Sequence, residues 1–176
     1  MIIMDLTLNS IFGFMDFHIN FSYPKKIVNS IIENEHLAGR LNFRYKKAVI
    51  LNATGKTSLG KALLRIFKFI GSGNTALLFE MAAPKATGSF SIDFINDGYV
   101  LHRFSAVIDG ASESITLNHA HTEIGEKDTY EKCAKRLAKG GETIDADPKK
   151  LKKCFGELSF RFAYPEIEST LKISGI

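Results

Sequence analysis

The apolar positions change period several times along the chain, and each change marks an element. Residues 2–10 carry Ile3, Leu6 and Leu8 and predict a strand. Gly13 marks a turn, residues 14–21 predict a second strand, and Pro24 breaks it. Residues 25–35 read two ways. Ile27, Val28, Ile31 and Ile32 fit a short helix, while the Asn and Glu residues crowding its end fit a loop. Residues 41–51 predict a third strand, ending in the apolar run Ala48-Val49-Ile50-Leu51 of a buried strand. The period then becomes helical. Leu59, Ala62, Leu63, Ile66, Phe67 and Ile70 fall at i, i+3, i+4, i+7, i+8 and i+11, with Lys61, Arg65 and Lys68 off that stripe. An amphipathic helix over 57–70 is predicted, ended by Gly71-Ser72-Gly73, where glycine takes a left-handed cap without steric cost.

Residues 76–81 are apolar and fit either a helix or a strand, and Pro84 ends them. Residues 89–94 then alternate strictly, with Phe90, Ile92 and Phe94 on one face. Asn96-Asp97-Gly98 supplies a hairpin turn, and residues 99–108 the return strand. A further strand is expected over 114–117 and a helix over 129–139, closed by Gly140-Gly141. Asp147-Pro148 has the form of a helix start, cap then first position, with Leu151, Cys154 and Phe155 on the buried side. Phe160, Phe162 and Tyr164 alternate as a last strand before Pro165.

The junction between the third strand and the 57–70 helix carries the clearest chemistry. It reads Asn52-Ala53-Thr54-Gly55-Lys56-Thr57-Ser58, a tight loop between strand and helix, which is the context of a phosphate-binding loop. A helix N-terminus presents unpaired backbone N–H groups and a partial positive charge. Gly55 lets the backbone approach phosphate oxygens without a Cβ. Lys56 reaches β- and γ-phosphates as a point charge, and the Thr57 hydroxyl is the candidate Mg²⁺ ligand. All seven residues are candidate nucleotide-binding positions. The full pattern G-x-x-x-x-G-K-[ST] places its first glycine at position 50, where this chain has Ile50. Either the loop is degenerate, or a few residues that belong between Leu51 and Asn52 are missing; the match of residues 52–57 to the tail of G-x-N-x-x-G-K-[ST] favours the second. An ordinary strand–turn–helix is the plain structural alternative.

The first seventy residues extend the picture. In residues 1–22, Phe14, Asp16, Phe17, Ile19 and Phe21 hold the register of a strand, turn and second strand. Together with residues 52–58, this opening resembles ABC-type ATPase heads of the RecF and SMC kind, including the small "AAA family" ATPases of bacteria. The basic residue many such heads carry in the first turn, near the nucleotide, falls at Phe12 here. The resemblance implies a P-loop NTPase head lobe of mixed α/β (α+β) class with an antiparallel β-subdomain. It implies ATP and Mg²⁺ as ligands, a homodimer closed through the nucleotide site, and a role in DNA repair, chromosome maintenance or phage defence. Other parts of such a head are missing. The chain contains no Gln for a Q-loop, no LSGG signature, and no four-residue apolar run ending in Asp-Glu; Leu171 to Gly175 is only a faint echo of the signature. No catalytic residue is identified, and the hydrolytic carboxylates would have to come from elsewhere.

Composition bounds the remaining choices. With 176 residues, 45% of them hydrophobic, a single globular domain is expected. It divides into 1–75 (strands, loop and helix), 76–125 (β-subdomain) and 126–176 (helical and strand appendage). No run approaches the ~18 apolar residues of a membrane span, and Asp5 interrupts the first residues, so neither a membrane segment nor a secretory leader is predicted. Cys133 and Cys154 do not make a disulfide framework, and the reducing cytoplasm is the expected compartment. The net charge of +4 permits DNA as a partner. Lys149, Lys150, Lys152 and Lys153 are the cluster that would meet its phosphates, although such runs are more often a solvated helix face. His119, His121 and Glu123 alternate and would share a strand face, as a metal site needs. The ordinary reading of that stretch is an exposed edge or loop. Two functions compete: an ATPase head, and a non-catalytic or degenerate P-loop module acting as a scaffold.

Overall fold

A computed structural model describes residues 1–23, 36–46, 55–96 and 98–155. In chain order these form β1 (Ile2–Asn9), β2 (Phe17–Asn20), β3 (His36–Leu37), β4 (Arg40–Arg44), α1 (Lys56–Ser72), α2 (Ala76–Phe79), β5 (Thr87–Ile95), β6 (Val100–Asp109), β7 (Ser114–Glu123), α3 (Tyr130–Leu137), β8 (Glu142–Ile144) and α4 (Pro148–Phe155). Six strands make one sheet in the order β2-β1-β5-β6-β7-β8, and β3 and β4 form a separate pair. Every pairing between these strands is antiparallel. The protein is therefore of mixed α+β class with an antiparallel sheet. Strands from all three expected segments enter that one sheet. The predicted strand over 47–51, the ambiguous 25–35 segment and the strand before Pro165 lie outside the described residues.

Alternation decides what each face of the sheet buries, because successive side chains point to opposite sides. Phe90, Ile92 and Phe94 of β5 join Phe104, Ala106 and Ile108 of β6 and Leu6 and Leu8 of β1 in one core. α1 and α4 pack on that face, and the Phe67 ring meets Phe94 edge-on at 5.7 Å. The opposite parity builds a second core from Ile95, Leu101 and Phe43 with α3, whose Tyr130, Cys133 and Leu137 are buried. Met4 belongs to that second core although Leu6 and Leu8 belong to the first. The register shift between Ile3 and Asp5 explains the change of side.

Most predicted elements hold, with boundary changes that have local causes. α1 runs through Gly71 to Ser72 and stops at Gly73, whose φ of 67° is the left-handed cap. Its buried face includes Phe69, which the simple stripe omitted. β2 starts at Phe17 rather than near Phe14, because residues 10–16 form a tight loop with Ser10, Phe12, Gly13 and Asp16 all at positive φ. The strand expected from residue 41 begins at Arg40, reached through a turn at Gly39 (φ 69°). β7 extends to Glu123, well past the predicted 114–117.

Candidate functional site

Two regions of the described structure carry chemistry. The first is the start of α1. Asn52, Ala53 and Thr54 lie outside the described residues, as does Ile50. Gly55 is the residue before the helix, Lys56 opens it, and Thr57 and Ser58 follow in its first turn. The Thr57 side chain is exposed and Ser58 is half-buried. Among the described residues no side chain caps this end, and the first turn contains no acidic residue. The first i→i+4 bond is donated by the Leu59 N–H to the Gly55 carbonyl at 2.9 Å. An uncapped helix start of this kind keeps its N–H groups available to an anion.

The loop between β1 and β2 lies directly against this point. A Cβ added to Gly55 would sit 3.3 Å from Cε1 of Phe14. That ring is packed in turn on Phe17, with centroids 4.7 Å apart. Positive φ at the non-glycine residues Ser10, Phe12 and Asp16 stores backbone strain, about 1–2 kcal/mol each. Tertiary bonds hold the loop in place. The Phe12 N–H donates to the Met81 carbonyl at 3.0 Å, and Ile11 bridges to Ala82.

A buried carboxylate is available elsewhere but already engaged. Asp93 on β5 is 1% exposed. It accepts two 2.7 Å bonds from the Arg103 guanidinium on the neighbouring strand, and a third from the Tyr130 hydroxyl on α3 at 2.7 Å. The carboxylate holds the Arg103 pKa above its usual value, while burial and the same carboxylate raise that of Tyr130. This is a structural tie between sheet and helix on the second-core side, and its oxygens are spoken for.

The second region is a cavity of about 620 Å³ lined by His102, His119, His121, Glu142, Lys153 and Cys154, among others. The register of β6 and β7 sets His102 opposite His121, while β7 and β8 set His119 opposite Glu142. The three imidazoles form a close triangle, with centroids 5.4 Å apart for His102–His119, 5.5 Å for His119–His121 and 6.4 Å for His102–His121. His102 Nδ1 and His119 Nε2 share a hydrogen bond of 3.2 Å. Phe155 of α4 closes over His119 at 4.6 Å, and Cys154 beside it faces the cavity. Burial, then the neighbouring imidazoles, lower His102 to about 4. Burial, then His121, lower His119 to about 4 as well, so both rings are neutral at pH 7. Burial, followed by the Glu142 carboxylate, raises the Cys154 thiol.

The cluster corrects the sequence reading of this stretch. Asn118 and His119 are not an exposed edge, because β8 pairs outside them and His119 is 3% exposed, whereas residues 120–123 run on past β8 as an edge with His121 and Glu123 exposed. His119 and His121 do share a face, but Glu123 is not among the cavity residues. The carboxylate and thiol beside His119 are Glu142 and Cys154, from two other elements, and no sequence spacing signalled them. Both cysteines are free thiols, as the sequence predicted. Lys149, Lys150, Lys152 and Lys153 are exposed on α4, with Lys150 paired to Asp145. Among the described residues no helix is long and apolar enough to cross a membrane. Compared with known proteins, the chain matches no protein-family model and no curated sequence.

Proposed function

We propose that this chain is a nucleotide-binding lobe that takes ATP with Mg²⁺ at the start of α1. The observation that carries the reading is the contact of Phe14 with Gly55. It brings the strained first turn against the Gly-Lys-Thr helix start, as in ABC-type heads, although Phe12 stands here where many such heads carry a basic residue near the nucleotide. The uncapped first turn of α1 and its lack of acidic residues suit a polyphosphate. In this reading the backbone from Asn52 through Ser58 cradles the phosphates, Lys56 neutralises them, and Thr57 holds the metal ion. Sinking the apolar side of α1 into the sheet fixes the helix start as a rigid platform.

Binding and hydrolysis are separate in this proposal. Asp93 is committed to Arg103 and Tyr130, and the chain lacks the Walker B and signature motifs. ATP hydrolysis therefore needs a second chain or further segment, in keeping with the homodimeric closure that the resemblance implies. DNA is a partner at the level of the same resemblance, with the exposed lysines of α4 as its contact. The test is a titration of the chain with ATP, with and without Mg²⁺. Wild type should saturate at millimolar nucleotide or below, more tightly with Mg²⁺. Lys56→Ala should abolish binding while leaving the circular dichroism spectrum unchanged. Absence of binding by wild type, or equal affinity in the variant, would refute the assignment and leave the scaffold module as the function.

A further inference from the structure

We propose that the chain binds one zinc-class metal ion between His119 of β7, Glu142 of β8 and Cys154 of α4. One ligand atom from each of these side chains lies within 4.8 Å of the other two. The proposal rests on different residues from the nucleotide reading and stands or falls separately.

The donor set selects the metal class. Imidazole nitrogen, carboxylate oxygen and thiolate sulfur together suit zinc, whereas magnesium and calcium take all-oxygen shells. Donors 2.0–2.3 Å from a tetrahedral ion stand roughly 3.3–3.8 Å apart. Closing the observed triangle needs a movement of about 1 Å. Glu142 is exposed and Cys154 is half-buried, so both have room to make it. The His119–Glu142 pair is fixed by the β7–β8 register, and α4 carries Cys154 across them.

A second, independent observation points to a ligand. His119 Nδ1 is buried and has no hydrogen-bond partner. Its other nitrogen, Nε2, is occupied by His102 Nδ1 at 3.2 Å. If Nε2 carries the proton and donates it to His102, Nδ1 presents a bare lone pair. The opposite tautomer would bury an N–H with no acceptor, which is the less favourable arrangement. A histidine whose far nitrogen is pinned by a neighbour is the usual form of a metal ligand, since the second bond sets tautomer and ring orientation. Phe155 shields one side of the ring. The three ligands all line the cavity, which provides both an entry path and water for the remaining coordination position.

The experiment uses the untagged full chain, stripped with a chelator and titrated with Zn²⁺ by calorimetry and with Co²⁺ by absorbance. The expected result is saturation at one equivalent, with a sulfur-to-cobalt charge-transfer band and the intense d–d bands of a tetrahedral site. Cys154→Ser should lose the charge-transfer band. Glu142→Gln, at an exposed position that folding tolerates, should weaken Zn²⁺ binding at least tenfold. Zinc should also raise the thermal midpoint of wild type, because it ties the β8 edge and α4 to the sheet. The proposal is overturned if wild type shows no saturable Zn²⁺ binding, if the cobalt spectrum is unchanged in Cys154→Ser, or if Glu142→Gln binds as tightly as wild type.

Discussion

Replacing Asp93 by Asn tests the buried polar tie between the sheet and α3. The change keeps the shape of the side chain and removes its charge. Breaking one side of a buried ion pair costs about 3–5 kcal/mol, since it strands the partner charge. The Arg103 side chain is 30% exposed and can recover some hydration, which puts its share near the lower bound of about 3 kcal/mol. The Tyr130 hydroxyl loses an ionised acceptor in a buried site, adding about 1 kcal/mol. Both donors address the same carboxylate, so the two costs overlap, and the expected loss is about 3–4 kcal/mol. With a urea slope of about 2 kcal/mol per molar, the unfolding midpoint should fall by roughly 1.5–2 M. Tyr130→Phe should cost only about 1 kcal/mol. The double variant Asp93→Leu with Arg103→Met should recover much of the loss, because it leaves no stranded charge. An Asp93→Asn midpoint within about 0.5 M of wild type would refute the reasoning. So would a double variant no more stable than Asp93→Asn.

Three further outcomes are expected. Gly73→Ala should destabilise by at least about 2 kcal/mol in the same urea assay: its φ is 67°, and the new Cβ would meet Pro148 Cγ at 2.7 Å and the Ala146 carbonyl at 3.0 Å. Hydrogen bonding from Arg136 holds the Asp128 carboxyl down at about 2. Its contribution to stability is complete above the unfolded value near pH 4 and is lost as pH falls toward 2, so Asp128→Asn should flatten that part of the acid-unfolding curve. Steady-state phosphate release by the isolated chain should show no meaningful ATP turnover, because binding ground-state phosphate and metal does not by itself lower the barrier. Multiple turnovers that vanish in Lys56→Ala would show that a catalytic carboxylate is present after all.

What the sequence determined alone was local. The helical stripe from Leu59 to Ile70 set the buried side of α1, and Asp147-Pro148 announced α4, where Asp147 Oδ1 accepts the Lys149 and Lys150 N–H groups at 2.7 and 3.2 Å. The alternation around Asn96-Asp97-Gly98 specified the β5–β6 pair. Such signals are legible because period and cap chemistry act between residues a few positions apart. The tertiary structure decided the rest. β1 sits beside β5, each paired residue at least eighty positions away in the chain, and that pairing is set by register and burial across the sheet. Nothing in the alternation of β5 marks Asp93, and only the packing of α3 brings Tyr130 onto it. His119 reads as an exposed edge residue until β8 pairs outside it and Phe155 closes above. Its companions Glu142 and Cys154 come from separate elements, brought together by strand order and helix packing. No period in a single segment encodes a meeting of three segments, so the cavity chemistry belongs to the fold.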